Sequence, residues 1–94
     1  MDKIFKSLAD KNRRIILTLL MKQNMSVNEM LNSLNIKQAT LSFHLAILKK
    51  AGLVSDSIKG KMRIYKLNRE IFNSFVTELN RFVQNEIIVR RISD

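Results

Sequence analysis

The chain has 94 residues, which fits one domain with a single modest core. Its 17 lysines and arginines outnumber 8 aspartates and glutamates, giving a net charge of +9, and the lack of cysteine excludes disulfides, thiolate metal sites and thiol redox sensing. No segment approaches the roughly 20 apolar residues of a membrane span and the N-terminus lacks a signal-peptide pattern, so we expect one cytoplasmic domain over residues 1–94.

Apolar residues at helical spacing dominate the first half of the chain. Residues 3–8 place Ile4, Phe5 and Leu8 on one side of a short helix. Asp10 suits the N-cap of a second helix. The apolar residues of this second helix recur at helical spacing: Ile15, Ile16, Leu19 and Leu20. The pattern therefore predicts two consecutive helices.

A third helix is predicted from a capping box. Residues 26–29 read Ser-Val-Asn-Glu, in which the serine and the glutamate can each bond the other's backbone amide. Met30, Leu31 and Leu34 are expected to face inward from this helix. Asn35 is suited to end it, because asparagine tolerates the left-handed conformation.

A fourth helix follows the short link Asn-Ile-Lys-Gln. Its predicted buried stripe repeats at i, i+4 and i+7: Leu41, Leu45 and Leu48. Lys49 and Lys50 fall in its last turn, where cations suit the helix dipole, and Gly52 is expected to end it.

Two β-like segments come next, at residues 53–58 and 62–67, with Gly60 at the tip of the predicted hairpin. Tyr65 and Leu67 lie two residues apart on one face, which we expect to point inward. Two short helices followed by a basic hairpin are typical of a winged helix-turn-helix.

The last predicted helix begins at the cap residue Asn68 and runs to about residue 91. Its apolar stripe, which includes Ile71, Ile87 and Ile88, is wider than a 94-residue monomer can bury, and this predicts a homodimer. The predicted interface residues lie on the first and last helices: Ile4, Phe5, Leu8, Phe72, Phe75, Val76, Leu79, Phe82 and Val83. The expected fold is mainly α with a β-hairpin wing and a long C-terminal dimerisation helix.

Basic residues concentrate in residues 37–66, where seven lysines and arginines are accompanied by a single acid, Asp56. Such a segment is the electrostatic footprint of a protein that binds a polyanion. Nucleic acid is the partner that we favour. An anionic membrane, an acidic protein or a merely solvated basic surface remain alternatives.

The whole chain resembles the ArsR family of bacterial repressors. The matching segments are IFKSLADKNRRIILTLL in the first two helices and MSVNEMLNSLNIKQATLSFHLAILKKAGLVSDSIKGKMRIYKLN through the wing. The most specific part is the pattern Ser42-x-His44-Leu45-x-x-Leu48 followed by Ala51-Gly52-Leu53-Val54. The resemblance implies a repressor that binds double-stranded DNA, and it is strongest to a metal-independent, autorepressing subgroup. The two-fold symmetry of a helix-turn-helix dimer predicts an inverted-repeat operator.

The chain departs from the family pattern at points that bear on function. Lys37 stands where the family often has a Ser or Thr cap, and Lys11 stands where it usually has proline. Residues 26–31, where metal-sensing members carry a cysteine motif, read SVNEML, and the last helix has no histidine. The resemblance therefore implies DNA binding without metal sensing, and neither a cofactor nor a small-molecule substrate is expected.

His44 is the only histidine, and four interpretations of it are open. Zinc needs about four ligands, and the chain offers no second histidine and no cysteine. A catalytic base needs a nucleophile, and Ser42 lies roughly 160° away round the helix. A core position remains open, because His44 is adjacent to the leucine stripe. The resemblance implies the fourth interpretation, in which the ring reaches DNA.

The predicted DNA contacts lie at the start of the fourth helix and on the hairpin: Lys37, Gln38, Thr40, Ser42, Phe43, His44, Lys59, Lys61 and Arg63. Glutamine can pair with adenine, and threonine and phenylalanine can contact a thymine methyl group. The alternatives are ordinary exposed helix residues, a helix contact for Phe43 and a solvated turn. For Arg13 and Arg14, in a first helical turn that disfavours cations, we favour a structural partner over phosphate.

The sequence thus favours a DNA-binding transcriptional regulator, and specifically a dimeric repressor. A winged-helix protein-interaction module without DNA binding is the alternative. No carboxylate pair, glycine-rich phosphate loop or triad supports an enzyme. Relief of repression is expected from falling protein concentration or from a partner, and the resemblance suggests a membrane protein in that role.

Overall fold

The computed structural model describes the backbone of residues 1–93 and the side chains of residues 1–85. Its elements follow in this order: α1 Asp2–Leu8, α2 Lys11–Lys22, β1 Met25–Ser26, α3 Val27–Ser33, α4 Gln38–Lys50, β2 Val54–Lys59, β3 Met62–Leu67 and α5 Arg69–Ser93. The predicted winged helix-turn-helix with a long last helix is confirmed. In the described part of the chain, no helix is both long and apolar enough to cross a membrane.

Side-chain caps fix the starts of three helices, as predicted. The Asp10 carboxylate accepts from the backbone N–H of Arg13 at 3.2 Å. At the start of α3, Ser26 Oγ accepts from the Glu29 N–H at 3.2 Å, while the Glu29 carboxylate accepts from the Ser26 N–H at 3.0 Å. The Asn68 side chain accepts from the third backbone amide of α5 at 3.3 Å. Each cap satisfies an amide that has no partner inside its own helix.

The end of α3 differs from the prediction. The helix stops at Ser33 and the chain leaves through Leu34 in an extended conformation, with φ −122° and ψ 139°. Asn35 has no positive φ, so the predicted left-handed termination at this residue is wrong. The chain turns towards α4 through extended backbone, and Leu34 and Ile36 pack against the core on either side of Asn35.

The end of α4 follows the prediction and sets the direction of the wing. Gly52 has φ +83°, and its N–H donates to the Lys49 carbonyl at 3.0 Å. The N–H of Leu53 donates to the Leu48 carbonyl, also at 3.0 Å, and both leucines are buried. These two bonds and the apolar pair make a Schellman motif, which brings the chain directly into β2.

The wing is part of a three-stranded antiparallel sheet in the order β1-β3-β2. Lys59 pairs with Met62, so Gly60 and Lys61 form a two-residue turn in which Gly60 alone has a positive φ, +65°. Glycine at the first turn position suits a type II′ hairpin. The sequence did not predict β1, whose Met25 pairs with Tyr65 and joins the helix-turn-helix to the wing.

The core lies between α2, α3, α4 and the sheet. The predicted leucines of α4 are buried, and Met30 of α3 joins them. In α2 the buried residues are Ile16, Leu17 and Leu20, whereas Ile15 is exposed. The predicted stripe of α2 is therefore wrong at Ile15, because the face that packs on α4 is centred one residue further along.

The long helix α5 extends well beyond the rest of the protomer. The Cα radius of gyration is 16.0 Å, whereas a compact domain of this length has about 12 Å. Near its start α5 packs on the body through Phe75, whose ring meets the Phe5 ring edge-on with centroids 5.2 Å apart. Beyond Leu79, its described apolar side chains are exposed.

Candidate nucleic-acid interface

One face of α4 is free of the core. Leu41, Leu45 and Leu48 occupy the buried side, whereas Gln38 in the first turn and Ser42 at the flank of the leucine stripe are exposed to solvent. Phe43 lies on the same outer surface and is 60% exposed. Ala39 and Ala46 are also exposed, and their small side chains let a ligand approach this part of the helix closely. Thr40 sits half-buried at the edge of this surface.

The N-terminus of α4 carries no side-chain cap. Lys37 occupies the N-cap position with extended backbone and makes no capping hydrogen bond through its side chain. Its carbonyl accepts from the Leu41 N–H at 3.0 Å. The first turn of α4 contains no acid, so the positive end of the helix dipole and the Lys37 ammonium add together. An anion such as a phosphate group is favoured there.

The wing brings basic residues beside the start of α4. A cleft of about 150 Å³ is lined by residues of β1, α3, α4, the hairpin turn and β3: Ser26, Val27, Asn28, Gln38, Lys61, Met62 and Arg63. Gln38 and Lys61, which are far apart in the sequence, therefore border one cleft. Lys59 is exposed on the other side of the Gly60 turn. The structure thus brings Gln38 of α4 together with Lys61 and Arg63 of the wing.

Two of the basic residues, Lys49 of α4 and Arg63 of the wing, are already paired with a carboxylate. The Asp56 side chain is only 5% exposed; its Oδ1 lies 2.7 Å from Lys49 Nζ and its Oδ2 pairs with Arg63 Nη1. Hydrogen bonds from Lys49, and then from Arg63, lower the pKa of Asp56 below its usual value. Sequence reasoning predicted Arg63 as a DNA contact and missed this carboxylate. The available signal was that Asp56 is the single acid in a strongly basic segment.

His44 does not lie on the exposed face. It is 6% exposed, three residues after Leu41 and four before Leu48, and it points towards α2. Its Nδ1 lies 3.2 Å from Arg13 Nη1, and its Nε2 lies 3.9 Å from Asp10 Oδ1. Because arginine can only donate, Nδ1 accepts and Nε2 carries the hydrogen. This placement contradicts the prediction that His44 contacts DNA and matches the core alternative.

Arg13 and Arg14 bind the C-terminal end of α1. Arg13 Nε donates to the Ser7 carbonyl at 2.7 Å and its Nη2 donates to the Lys6 carbonyl at 3.2 Å. Arg14 Nη1 donates to the Leu8 carbonyl at 2.6 Å. The Lys6 carbonyl also accepts from the N–H of the C-cap residue Ala9 at 3.2 Å. The last carbonyls of a helix lack partners in its own ladder, so the two guanidinium groups cap α1. The structural interpretation of both arginines is confirmed.

The residues predicted for the dimer interface divide into two groups. Ile4 and Phe75 belong to the core of the protomer, and Phe75 is only 5% exposed, so neither offers a free surface. Half-buried residues flank them: Leu8, Phe72 and Leu79. The exposed members lie along α1 and α5: Phe5, Val76, Phe82 and Val83. Phe82 is 65% exposed, and the predicted continuation at Ile87 and Ile88 falls outside the described side chains.

Among the described residues, no group of three or more His, Asp or Glu side chains is placed to hold a metal ion.

Residues 10–56 match the sequence model of a family described as bacterial regulatory protein, arsR family. This span runs from the cap of α2 into β2. It therefore contains both helices of the helix-turn-helix and the first three residues of β2.

Named relatives match over most of the chain. The transcriptional repressor SdpR of Bacillus subtilis is 34% identical over 83 residues, which cover 88% of this chain and 92% of the relative. The transcriptional activator HlyU of Vibrio cholerae is 31% identical over 78 residues, covering 83% of this chain and 72% of the relative. The names of these relatives give no support to a protein-interaction module without DNA binding.

Solved structures agree with the fold. The structure of HlyU from Vibrio cholerae aligns with a TM-score of 0.72 at 30% identity, covering 85% of this chain and 87% of that chain. An ArsR-like transcriptional regulator from Rhodococcus sp. RHA1 aligns with a TM-score of 0.82, covering 98% of this chain and 88% of that chain. At 23% identity, the second likeness shows the fold alone.

Proposed function

Because the chain belongs to the ArsR family and is therefore a DNA-binding transcriptional regulator, we propose that it acts as a homodimeric repressor on an inverted-repeat operator. The observation that carries this proposal is the exposed face of α4, which combines an uncapped positive helix end with polar side chains and an adjacent basic wing tip. A helix-turn-helix reads bases from such a face in the major groove.

The proposed DNA contacts share this face or the wing tip: Lys37, Gln38, Thr40, Ser42, Phe43, Lys59 and Lys61. Gln38 has the amide needed for a two-point contact with adenine, and Phe43 offers an apolar ring to a thymine methyl group. The lysines neutralise phosphates, because an ammonium group carries charge without fixed geometry. His44 and Arg63 are left out, the first because it is buried and the second because Asp56 neutralises it.

A second copy of the chain is the proposed occupant of the apolar surface on α1 and α5. Phe5 and Phe82 are exposed aromatic residues on two helices, and Val83 of α5 is exposed as well. A two-fold dimer uses the same surface from both subunits, and it presents two α4 helices to two half-sites about one DNA turn apart.

Relief of repression is proposed to depend on protein concentration or on a partner, without a metal ion or a thiol. The chain contains no cysteine and its one histidine is buried beside Arg13. A membrane protein that occupies the dimer or its basic face would fit this role. Because chromosomal DNA is the proposed ligand, the proposed site of action is the cytoplasm.

The first experiment is a genome-wide footprint of the protein, followed by anisotropy titrations of the bound sequence. We expect an inverted repeat, with binding at the protein's own promoter if it represses itself.

Transcriptional activation is the second candidate function of this chain, favoured by the similarity to HlyU, which is named a transcriptional activator. A promoter–reporter measured with and without the protein separates the two, since a repressor lowers expression and an activator raises it.

A further inference from the structure

We propose that Asp56 sets the sequence selectivity of DNA binding, because it keeps Lys49 and Arg63 away from phosphate and fixes the wing against α4. This inference rests on the proposed function. The three residues come from three elements, α4, β2 and β3, and both carboxylate oxygens are used.

Lys49 and Arg63 both border the surface that is proposed to face DNA. Lys49 follows Gln38 by 11 residues, which is about three helical turns, so it lies on the same side of α4 about 16 Å away. Arg63 lines the cleft that also contains Gln38 and Lys61. Without Asp56, each cation would be free to neutralise a phosphate whatever the base sequence.

The ion pairs of Asp56 with Lys49 and Arg63 are expected to remain intact when the protein binds DNA. The Asp56 carboxylate is 5% exposed and contacts both cations, so a phosphate that took one of them would approach a second anion. It would also have to replace a charge-assisted hydrogen bond, which is stronger than a neutral one. The phosphate contacts are then made by the lysines of the wing tip and the helix start, which are Lys59, Lys61 and Lys37.

The pairs also hold the wing in one orientation. Asp56 is opposite Tyr65, so Arg63 is its diagonal neighbour on the same face of the hairpin, and Lys49 reaches this face from the last turn of α4. Ion pairs as well as packing therefore hold the wing against α4, the helix that is proposed to read the DNA bases. A fixed geometry favours the operator over DNA that merely supplies phosphates.

The test uses the full chain, the operator duplex identified by footprinting and a random-sequence duplex of equal length, titrated over a range of KCl concentrations. In Asp56→Asn the log–log salt slope should become steeper by about 1–2 per subunit, and the ratio of operator to random affinity should fall about threefold or more. The matched control is Glu78→Gln, which makes the same charge change and also frees an arginine, Arg81, 3.7 Å away on α5.

A second pair of variants decides the matter if Asp56→Asn does not fold. Arg63→Gln should leave the salt slope unchanged because its charge is already neutralised. Lys61→Gln should flatten the slope by about 0.9 for each phosphate that the side chain no longer neutralises. The inference would be overturned if Arg63→Gln and Lys61→Gln flattened the salt slope equally. It would also be overturned if Asp56→Asn and Glu78→Gln had the same salt slope and the same ratio of operator to random affinity. A wild-type protein that prefers no duplex would instead overturn the proposed function.

Discussion

Phe82 is the residue at which we expect the dimer to be most sensitive to substitution. It is 65% exposed in the protomer, on the part of α5 that extends past the core. With about 200 Å² for a phenylalanine side chain, the exposed part is about 130 Å², and its burial contributes about 3 kcal/mol at ~25 cal/mol per Å². A two-fold interface contains the residue twice, so Phe82→Ser should weaken dimerisation by up to about 6 kcal/mol.

Sedimentation equilibrium over a range of protein concentrations measures this change in the monomer–dimer constant. Ile58→Ser is the matched control, because Ile58 is 68% exposed but lies on the wing. Circular dichroism checks that both variants keep their helix content. The reasoning is refuted if the wild-type chain sediments as a monomer, or if Phe82→Ser and Ile58→Ser dimerise equally well.

Gln38→Ala should relax the preference for one operator base by about 1–3 kcal/mol while random duplex binding stays constant; an unchanged preference in competition titrations would remove Gln38 from the reading face. His44→Ala should destabilise the fold by about 1–3 kcal/mol in urea unfolding, since Arg13 loses a partner, and should leave the salt slope of binding unchanged; the reverse result would restore His44 as a DNA contact. Zinc, nickel, arsenite and peroxide should not alter operator affinity in anisotropy titrations; a tenfold loss, about 1.4 kcal/mol of coupling, would reveal a sensing site.

The features that the sequence predicted well are those that local chemistry decides. The caps at Asp10, Ser26 and Asn68 depend on residues three apart, and the termination at Gly52 depends on a single positive φ. The leucine stripe of α4 follows from helical periodicity. By contrast, β1 is only two residues long, too short for an alternating pattern, and its existence depends on pairing with β3, about 40 residues later.

Two residues predicted to contact DNA, Arg63 and His44, make contacts within the protomer that no local sequence pattern predicts. Which cations face a phosphate depends on which are already neutralised, and no spacing rule links Asp56 to Lys49 and Arg63. For His44, periodicity left a core position open, and the resemblance argued for DNA. The deciding fact is that Arg13 lies opposite the ring on α2, a contact between residues 31 positions apart.

The dimer surface and the reading face lie on different helices, and contacts within the protomer join them. Arg13 donates to the carbonyls of Lys6 and Ser7 at the end of α1, and the same guanidinium donates to His44 on the inner side of α4. Phe5 of α1 packs edge-on against α5. The helices proposed to form the dimer and the helix proposed to read DNA are therefore held as one body, so these contacts set the distance between the two reading helices of a dimer. We therefore expect His44 to influence DNA recognition through the position of α4, without touching the DNA.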